Sequence, residues 1–164
     1  MKPLKIYLDT SIISFLYAED TPDLRKITET LFANFIRRKR FETYVSDVVI
    51  QEIEKTSNPI KRSQLAEVIG IHRFPLLPLN EEIIRLAGVY IKRGTIPRSK
   101  VDDARHVAVA TYHQMDVLLS WNFRHLANVR KESAIHIVNA TEGYLYPLRL
   151  TNPMEVMDEN EKDG

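Results

Sequence analysis

The sequence of 164 residues contains no cysteine and only five glycines. The absence of cysteine excludes a disulfide framework, a cysteine-ligated metal site and a thiol nucleophile, and it is compatible with a reducing compartment. None of the glycines belongs to a GxGxxG or GxxxxGKS/T motif, which excludes the dinucleotide-binding and P-loop phosphate cradles. The sequence also has no GxSxG elbow and no HExxH pair, so a serine hydrolase or a zinc protease has no local support.

Long hydrophobic runs are also missing. The first apolar run, Leu4 to Leu8, reaches Asp9 before it is long enough for a signal sequence, and no later run has transmembrane length. We therefore expect a cytoplasmic protein with no membrane partner. Hydrophobic residues make up 44% of the chain and charged residues 27%, and this composition predicts one domain with an ordinary globular core.

Positive and negative charges nearly cancel, at a net charge of +1, but they are unevenly distributed. Residues 155–164 carry −4 and residues 1–154 carry +5. The basic run Arg37 to Arg40 closes a predicted helix, where cations compensate the helix dipole, and we favour this interpretation over a nucleic-acid patch. We predict a domain over residues 1–146 and an extension over 147–164, whose acidic tail we expect to be disordered.

Apolar strands alternate with amphipathic helices along the chain. Strand-like runs occur at 4–8, 41–45, 74–77, 117–120 and 136–138, and helical periodicity fills most of the intervals between them. This alternation predicts an α/β fold with three α/β/α layers and a mainly parallel central sheet. In such a fold, ligands bind at the carboxyl ends of the strands.

Three acidic residues occupy positions where a parallel sheet gathers its ligands. Asp9 directly follows the first strand, and Glu52 lies beside the apolar face of the helix that begins at Ser46. Asp103 lies on the flank of the apolar stripe of the helix over 101–114. Each also has a purely structural interpretation. Asp9 would cap a turn, Glu52 would form an exposed ion pair, and Asp103 would stabilise the helix dipole.

Asp102 precedes Asp103 and points to nearly the opposite side of the same helix, where His106 follows at i+4. An Asp102–His106 pair at this spacing would suit a metal ion. A solvated polar face or an exposed ion pair is the favoured interpretation, so we expect His106 to face solvent.

Three carboxylates that meet at one end of a sheet repel each other strongly. They must either take up protons or bind a cation, and oxygen ligands without cysteine or histidine favour Mg²⁺ or Mn²⁺. A cation held in this way keeps open water positions and prefers phosphate oxygens. The natural chemistry of such a site is metal-assisted hydrolysis of a phosphodiester.

The order and spacing of four segments resemble the PIN-domain nucleases, the family that includes the VapC toxins of toxin–antitoxin pairs. The segments are Ile6 to Ser11, Ser46 to Ile53, Asp103 to Ala110 and Leu118 to Asn122, and the match covers most of residues 4–139. The resemblance implies a three-layer α/β fold that binds Mg²⁺ or Mn²⁺ and cleaves RNA. It also implies a homodimer and a small antitoxin that blocks the site.

Within this resemblance, Asp9, Glu52 and Asp103 are the metal ligands, and Asn122 stands at a position that is usually Asp. A neutral amide can orient water or bind a metal through its oxygen. It also lowers the negative charge of the site, which weakens cation affinity and puts a second metal ion in doubt. The plain alternative for Asn122 is the N-cap of a following helix.

Other polar residues near these motifs suggest supporting roles. Ser11 and Ser120 stand where the family often has small hydroxyl residues, and they would hold the carboxylates or water by hydrogen bonds. Arg98 and Lys100 precede the third acidic motif closely enough to neutralise a substrate phosphate. Trp121 either stacks on a base or packs in the core, and packing is the more common role.

We therefore predict a metal-dependent ribonuclease with Asp9, Glu52, Asp103 and Asn122 as its catalytic residues. The alternative is a PIN-like domain that binds RNA or a protein partner and cleaves poorly because of Asn122. The acidic tail is then either an inert terminus or a segment that competes with RNA for the basic body. Phosphoaspartyl chemistry is disfavoured, because the step after Asp9 lacks the second Asp of a DxD motif.

Overall fold

The computed structural model describes residues 2–162 of the chain. The strands are β1 Lys5–Leu8, β2 Glu42–Ser46, β3 Leu76–Leu77, β4 Val117–Leu119 and β5 Arg149–Thr151. The helices are α1 Thr10–Ser14, α2 Pro22–Thr30, α3 Asp47–Glu54, α4 Pro59–His72, α5 Glu81–Lys92, α6 Val101–Tyr112, α7 Val129–Thr141 and α8 Pro153–Lys162. A 3₁₀ turn at Phe15–Tyr17 follows α1, and α2 continues into π-helical turns at Leu31–Ile36.

The five strands form one sheet in the order β3-β2-β1-β4-β5, and all four pairings are parallel. The predicted parallel α/β sheet is confirmed. β1 lies at the centre, between β2 on one side and β4 on the other, so the strand order reverses there. In an open parallel sheet, this reversal opens a crevice at the carboxyl ends of the central strands.

Side chains alternate between the two faces of the sheet and are buried on both. Ile6 and Leu8 of β1 belong to the core cluster under α1, α2, α4 and α8, whereas Tyr7 belongs to the cluster under α5, α6 and α7. Strands that are buried on both faces are apolar at nearly every position. This explains why β1 and β4 are continuous apolar runs, and it confirms the predicted three layers.

The segment at 136–138 is not a strand, contrary to the sequence-based prediction. It belongs to α7, which Asn128 caps by accepting a hydrogen bond from the Lys131 N–H at 2.7 Å. A short apolar run does not by itself distinguish a strand from a buried helix. Ile135 and Val138 are buried and lie three residues apart, which is the spacing of a helix face and not of a strand face.

The sheet continues beyond residue 146, where the sequence had placed the end of the domain. β5 pairs with β4, and α8 buries Val156 and Met157 in the core below α2. The segment expected to be disordered is therefore helical as far as Lys162, and residues 163–164 lie outside the described part of the chain. Within residues 2–162, no helix combines the length and the apolar character that a membrane span requires.

Candidate active site

Asp9 sits at the centre of the crevice, immediately after β1, and is only 4% exposed. Its carboxylate accepts a hydrogen bond from each of two serine hydroxyls. Ser11 Oγ donates to Oδ1 at 2.5 Å, and Ser120 Oγ, from the end of β4, donates to Oδ2 at 2.5 Å. Because the two serines come from different strand ends, they fix the orientation of the carboxylate relative to both β1 and β4.

Glu52 reaches the crevice from α3 and is half-buried. Its Oε1 atom accepts two hydrogen bonds, from Thr10 Oγ1 at 2.7 Å and from His106 Nε2 at 2.5 Å. Although burial by itself raises the pKa of Glu52, the hydrogen bonds from His106 and Thr10 lower it overall. Glu52 is therefore an ionised carboxylate held through one of its two oxygens.

His106 is buried rather than exposed, which corrects the prediction from helical phase. It is 1% exposed, and its Nδ1 lies 2.5 Å from the Tyr7 hydroxyl, which in turn lies 2.6 Å from Ser46 Oγ. Burial alone would lower the pKa of His106, but the hydrogen bond to Glu52 raises it overall. When the ring is neutral, one set of proton positions satisfies every group in this chain. Ser46 donates to Tyr7, Tyr7 donates to Nδ1, and Nε2–H donates to Glu52.

The burial of α6 explains why the prediction for His106 was wrong. Past its first turn, α6 is covered on almost every side, because it packs against both the sheet and α5. A polar residue on such a helix needs a partner inside the protein. The missed signal was the i+3 spacing of His106 from Asp103, which puts both near one face.

Asp103 lies in the first turn of α6 and accepts a hydrogen bond from Asn122 Nδ2 at 3.2 Å. The amide oxygen of Asn122 accepts the N–H of His125 at 3.0 Å. Both ends of the Asn122 side chain are thus engaged. The residues after Asn122 form turns rather than the predicted short helix, so Asn122 caps a turn and holds Asp103 at the same time.

The acidic residues influence one another electrostatically although they belong to separate elements. Burial raises the pKa of Asp103 to about 6, and the charges of Asp9 and Glu52 add to this while His106 opposes it. Burial also raises the pKa of Asp9, against the opposing effects of His106 and the two serines. The ionised forms of Asp9 and Asp103 are therefore disfavoured in the crevice, and either a proton or a cation would relieve this cost.

The donor chemistry of the crevice fits a hard divalent cation. Carboxylate oxygens from Asp9, Glu52 and Asp103 are the ligands that Mg²⁺ and Mn²⁺ prefer. Within residues 2–162, however, no three His, Asp or Glu side chains converge closely enough to form a complete metal cage. This arrangement fits Mg²⁺ in its usual protein form, in which one or two carboxylates and several waters hold the ion.

The predicted substrate contacts are only partly brought to the site. Lys100 is exposed at the start of α6, and its charge acts to lower the pKa of Asp103, so it lies near that carboxylate. Arg98 is exposed, and among the described residues it has no hydrogen-bond or ion-pair partner. Trp121 is 4% exposed, donates to Thr28 Oγ1 at 2.9 Å and stacks on Phe15, so it packs in the core.

Comparison with known proteins identifies the family. A model of the PIN domain matches residues 6–132. The chain belongs to the PIN domain family. This confirms the resemblance drawn from the sequence. PIN domains are generally nucleases, so nuclease chemistry is the class of activity that the family supports.

Two solved structures share the fold of this PIN domain. The crystal structure of FitAcB from Neisseria gonorrhoeae has a TM-score of 0.57 and 17% identity, over 91% of this chain and 98% of its own. The structure of FitAB bound to an IR36 DNA fragment has a TM-score of 0.55 and 17% identity, over 90% and 94% respectively. Identity this low shows a common fold alone. No curated protein sequence matches the chain.

Proposed function

We propose that this PIN domain is a metal-dependent ribonuclease that hydrolyses RNA phosphodiester bonds. The observation that carries the proposal is the placement of Asp9, Glu52 and Asp103, which come from the end of β1, from α3 and from α6, are buried or half-buried, and are each held by side-chain hydrogen bonds at the crevice. Carboxylates from three separate elements gain no stability from sharing a buried site unless a cation or protons join them. Membership of a nuclease family makes a cation the preferred explanation.

Asp9, Glu52 and Asp103 are the proposed ligands of Mg²⁺ or Mn²⁺, which they would hold directly or through bound water. When bound, the ion activates water and neutralises charge that develops on the phosphoryl group. Ser11 and Ser120 orient Asp9 through the two hydrogen bonds that its carboxylate accepts. Pre-oriented ligands of this kind lower the cost of binding the ion.

Glu52 and Asp103 each have a positioning partner. His106 and Thr10 both donate hydrogen bonds to Oε1 of Glu52. These bonds fix the plane of the carboxylate and thereby the direction of its second oxygen, Oε2. Asn122 holds Asp103 through its amide nitrogen, so we propose that it positions this carboxylate rather than binding the ion through its oxygen. A single ion suits this site better than two, because an amide replaces one acid.

Substrate RNA is proposed to enter past the exposed start of α6. Lys100 lies near Asp103 and is placed to neutralise a phosphate there, and we extend the same proposal to Arg98. A cytoplasmic location is part of the same proposal, because the proposed substrate is cellular RNA. A homodimer and a small antitoxin that covers the crevice are further proposals, supported by the resemblance to VapC toxins.

The test is cleavage of a mixed RNA pool by the purified protein in Mg²⁺, in Mn²⁺ and in EDTA. We expect metal-dependent products, and we expect the Asp9→Asn variant, which changes the charge but not the size of the side chain, to give none. Products that persist in EDTA or in the variant would contradict the assignment. A circular dichroism spectrum of the variant controls for folding.

A second candidate function is an RNA-binding or partner-binding PIN domain without cleavage. The observation that favours it is the absence of three converging metal ligands among residues 2–162. This candidate predicts salt-dependent RNA binding and no product in either metal. The same cleavage assay, combined with an RNA-binding measurement in EDTA, separates the two candidates.

A further inference from the structure

A groove opens at the amino ends of β1, β2 and β3, at the opposite end of the sheet from Asp9. Its cavity has a volume of about 720 Å³. Strands of four or five residues, at about 3.3 Å per residue, keep it roughly 15 Å from the crevice. We call it the amino-end groove and define it by Arg37, Lys39, Phe41, His72, Arg73 and Phe74.

The groove is rich in unpaired positive charge. Arg37 and Lys39 come from the end of the π-helical segment after α2, and Arg73 comes from the end of α4. In the described part of the chain, none of these three cations lies within ion-pair distance of a carboxylate. Glu42 contributes one negative charge to the wall.

Compensation of helix dipoles accounts for only part of this charge. The two helix ends contribute about half a negative charge each, so with Glu42 they offset about two of the three cations in the groove. The flanking Arg38 is exposed and adds to the surplus. The sequence-based interpretation of the basic run considered only one helix, whereas the fold brings cations from two helix ends together.

The backbone at two of these cations is unusual. Lys39 and Arg73 have φ angles of 56° and 50°, in the left-handed region that Gly and Asn adopt most readily. A helix end that needs this conformation is normally occupied by one of those residues. Gln114 adopts the same conformation after α6 with a long, uncharged side chain, so the turn itself does not require the positive charge at Lys39 and Arg73.

Aromatic rings form the apolar wall of the groove. Phe41 and Phe74 are buried, and the partly exposed ring of His72 stacks on Phe74 with centroids 5.4 Å apart and an interplanar angle of 16°. Burial and the Arg37 charge lower the pKa of His72, so the ring is neutral at pH 7. Aromatic and histidine rings are surfaces on which unpaired RNA bases stack.

We propose that the amino-end groove binds single-stranded RNA, with phosphates at Arg37, Lys39 and Arg73 and a base against His72. Cations alone would also suit an acidic peptide, but the partly exposed ring of His72, which is held against Phe74, favours a ligand that has flat rings as well as phosphates. The choice of RNA over other nucleic acids rests on the proposed function. The groove would add affinity at a distance from the acidic crevice and take no part in the chemistry.

The test measures binding of a labelled single-stranded RNA 15-mer by fluorescence anisotropy, in EDTA and in the Asp9→Asn background. The groove variant combines Lys39→Asn and Arg73→Asn, because Asn tolerates the left-handed conformation and carries no charge. We expect affinity at low salt to fall about tenfold. We also expect the slope of log affinity against log salt to become shallower by about 1.4, which is 0.7 for each lost contact with a single strand.

A matched control removes two exposed cations, Lys92→Gln on α5 and Arg130→Gln on α7, on the other face of the sheet. An equal loss in this control, or unchanged binding in the groove variant, would overturn the proposal. So would equal affinity of the groove for a labelled decaglutamate peptide. Because binding is measured without metal and without cleavage, failure of the groove proposal is distinct from failure of the ribonuclease proposal.

Discussion

The two ends of the sheet carry opposite charge and differ in how that charge is held. At the carboxyl end, both oxygens of Asp9 and one oxygen of Glu52 accept short hydrogen bonds from neighbouring side chains. At the amino end, Arg37 and Arg73 face an open groove with no carboxylate in ion-pair range among the described residues. Carboxylates that are fixed by hydrogen bonds suit catalysis, which needs a fixed geometry. Unpaired cationic side chains suit the binding of a flexible polyanion.

The polarity of a parallel sheet explains much of this division. Strands β1, β2, β3 and β5 run into a helix N-terminus, and strands β2 to β5 each follow a helical segment, so acids are favoured at the carboxyl ends of the strands and bases at their amino ends. Asp9 occupies the N-cap position of α1, although its carboxylate makes no capping hydrogen bond, and Asp103 lies in the first turn of α6. Glu52 lies near the end of α3, where the dipole is unfavourable, and it depends on Thr10 and His106 instead.

The largest expected effect comes from removing a carboxylate at the carboxyl end. Asp9→Asn should lower RNA cleavage at least about 10²–10³-fold, the usual cost of losing one electrostatic group in a catalytic site. RNA affinity in EDTA should stay the same or increase, because the substitution removes a negative charge. Cleavage rates and anisotropy measured on the same preparation check both. A parallel loss of binding would mean that the two ends do not act separately.

The fold could be predicted from the sequence to a large extent, because the strands are short apolar runs that alternate with amphipathic helices. The prediction was wrong where an apolar run was ambiguous, at 136–138, and the true last strand at Arg149–Thr151 was not recognised. That strand contains Arg149 and is only three residues long. Its place in the sheet depends on pairing with β4, which no local pattern reveals.

From the sequence we proposed the three acids and the two serines that donate to Asp9, but not the partners of Glu52 and Asp103. Asp9 follows an apolar strand, which marks it directly as a residue of the crevice. His106 was assigned to a solvated face, because helical phase alone does not reveal that α6 is buried on nearly all sides. Likewise, the sequence does not indicate that Asn122 donates to Asp103, since that contact depends on how β4 and α6 pack.

The next largest effect tests whether activity depends on the orientation of Glu52 at the carboxyl end. His106→Leu removes the donor to Glu52 and should lower both cleavage and Mn²⁺ affinity about 10–100-fold, the usual cost of losing a partner of a metal ligand. His106→Gln can still donate to Glu52 and accept from Tyr7, so it should recover most of both. If the two variants behave alike, His106 serves packing rather than the position of Glu52.

A smaller effect is expected from the amino end under turnover conditions. The Lys39→Asn/Arg73→Asn variant should reduce kcat/KM, which sets the rate at low RNA concentration, about tenfold. It should leave kcat, the rate at saturating RNA, unchanged, because only binding is weakened. The Lys92→Gln/Arg130→Gln control should leave both parameters unchanged. A lower kcat in the groove variant at saturation would show that the two ends are coupled.

The smallest effect is a pH dependence of stability that belongs to the carboxyl end alone. The pKa of Asp103 is raised from 3.8 to about 6, so the folded state holds this proton more tightly than the unfolded state. In EDTA, this contribution is fully present below pH 3.8 and is lost as the pH rises to about 6 and above. Asp103→Asn removes the titration, and its melting temperature at pH 8 should exceed that of the wild type by about 2–4 °C.

The control for this prediction is Asp102→Asn, one position earlier on α6, which removes an acid from the same helical turn. It should not reproduce the gain at pH 8, and at pH 4 the Asp103→Asn variant should melt with the wild type. Added Mg²⁺ should then stabilise the wild type and leave Asp103→Asn unaffected, because only the wild type gains a ligand that binds the folded state. A variant that still responds to Mg²⁺ would place the ion away from Asp103.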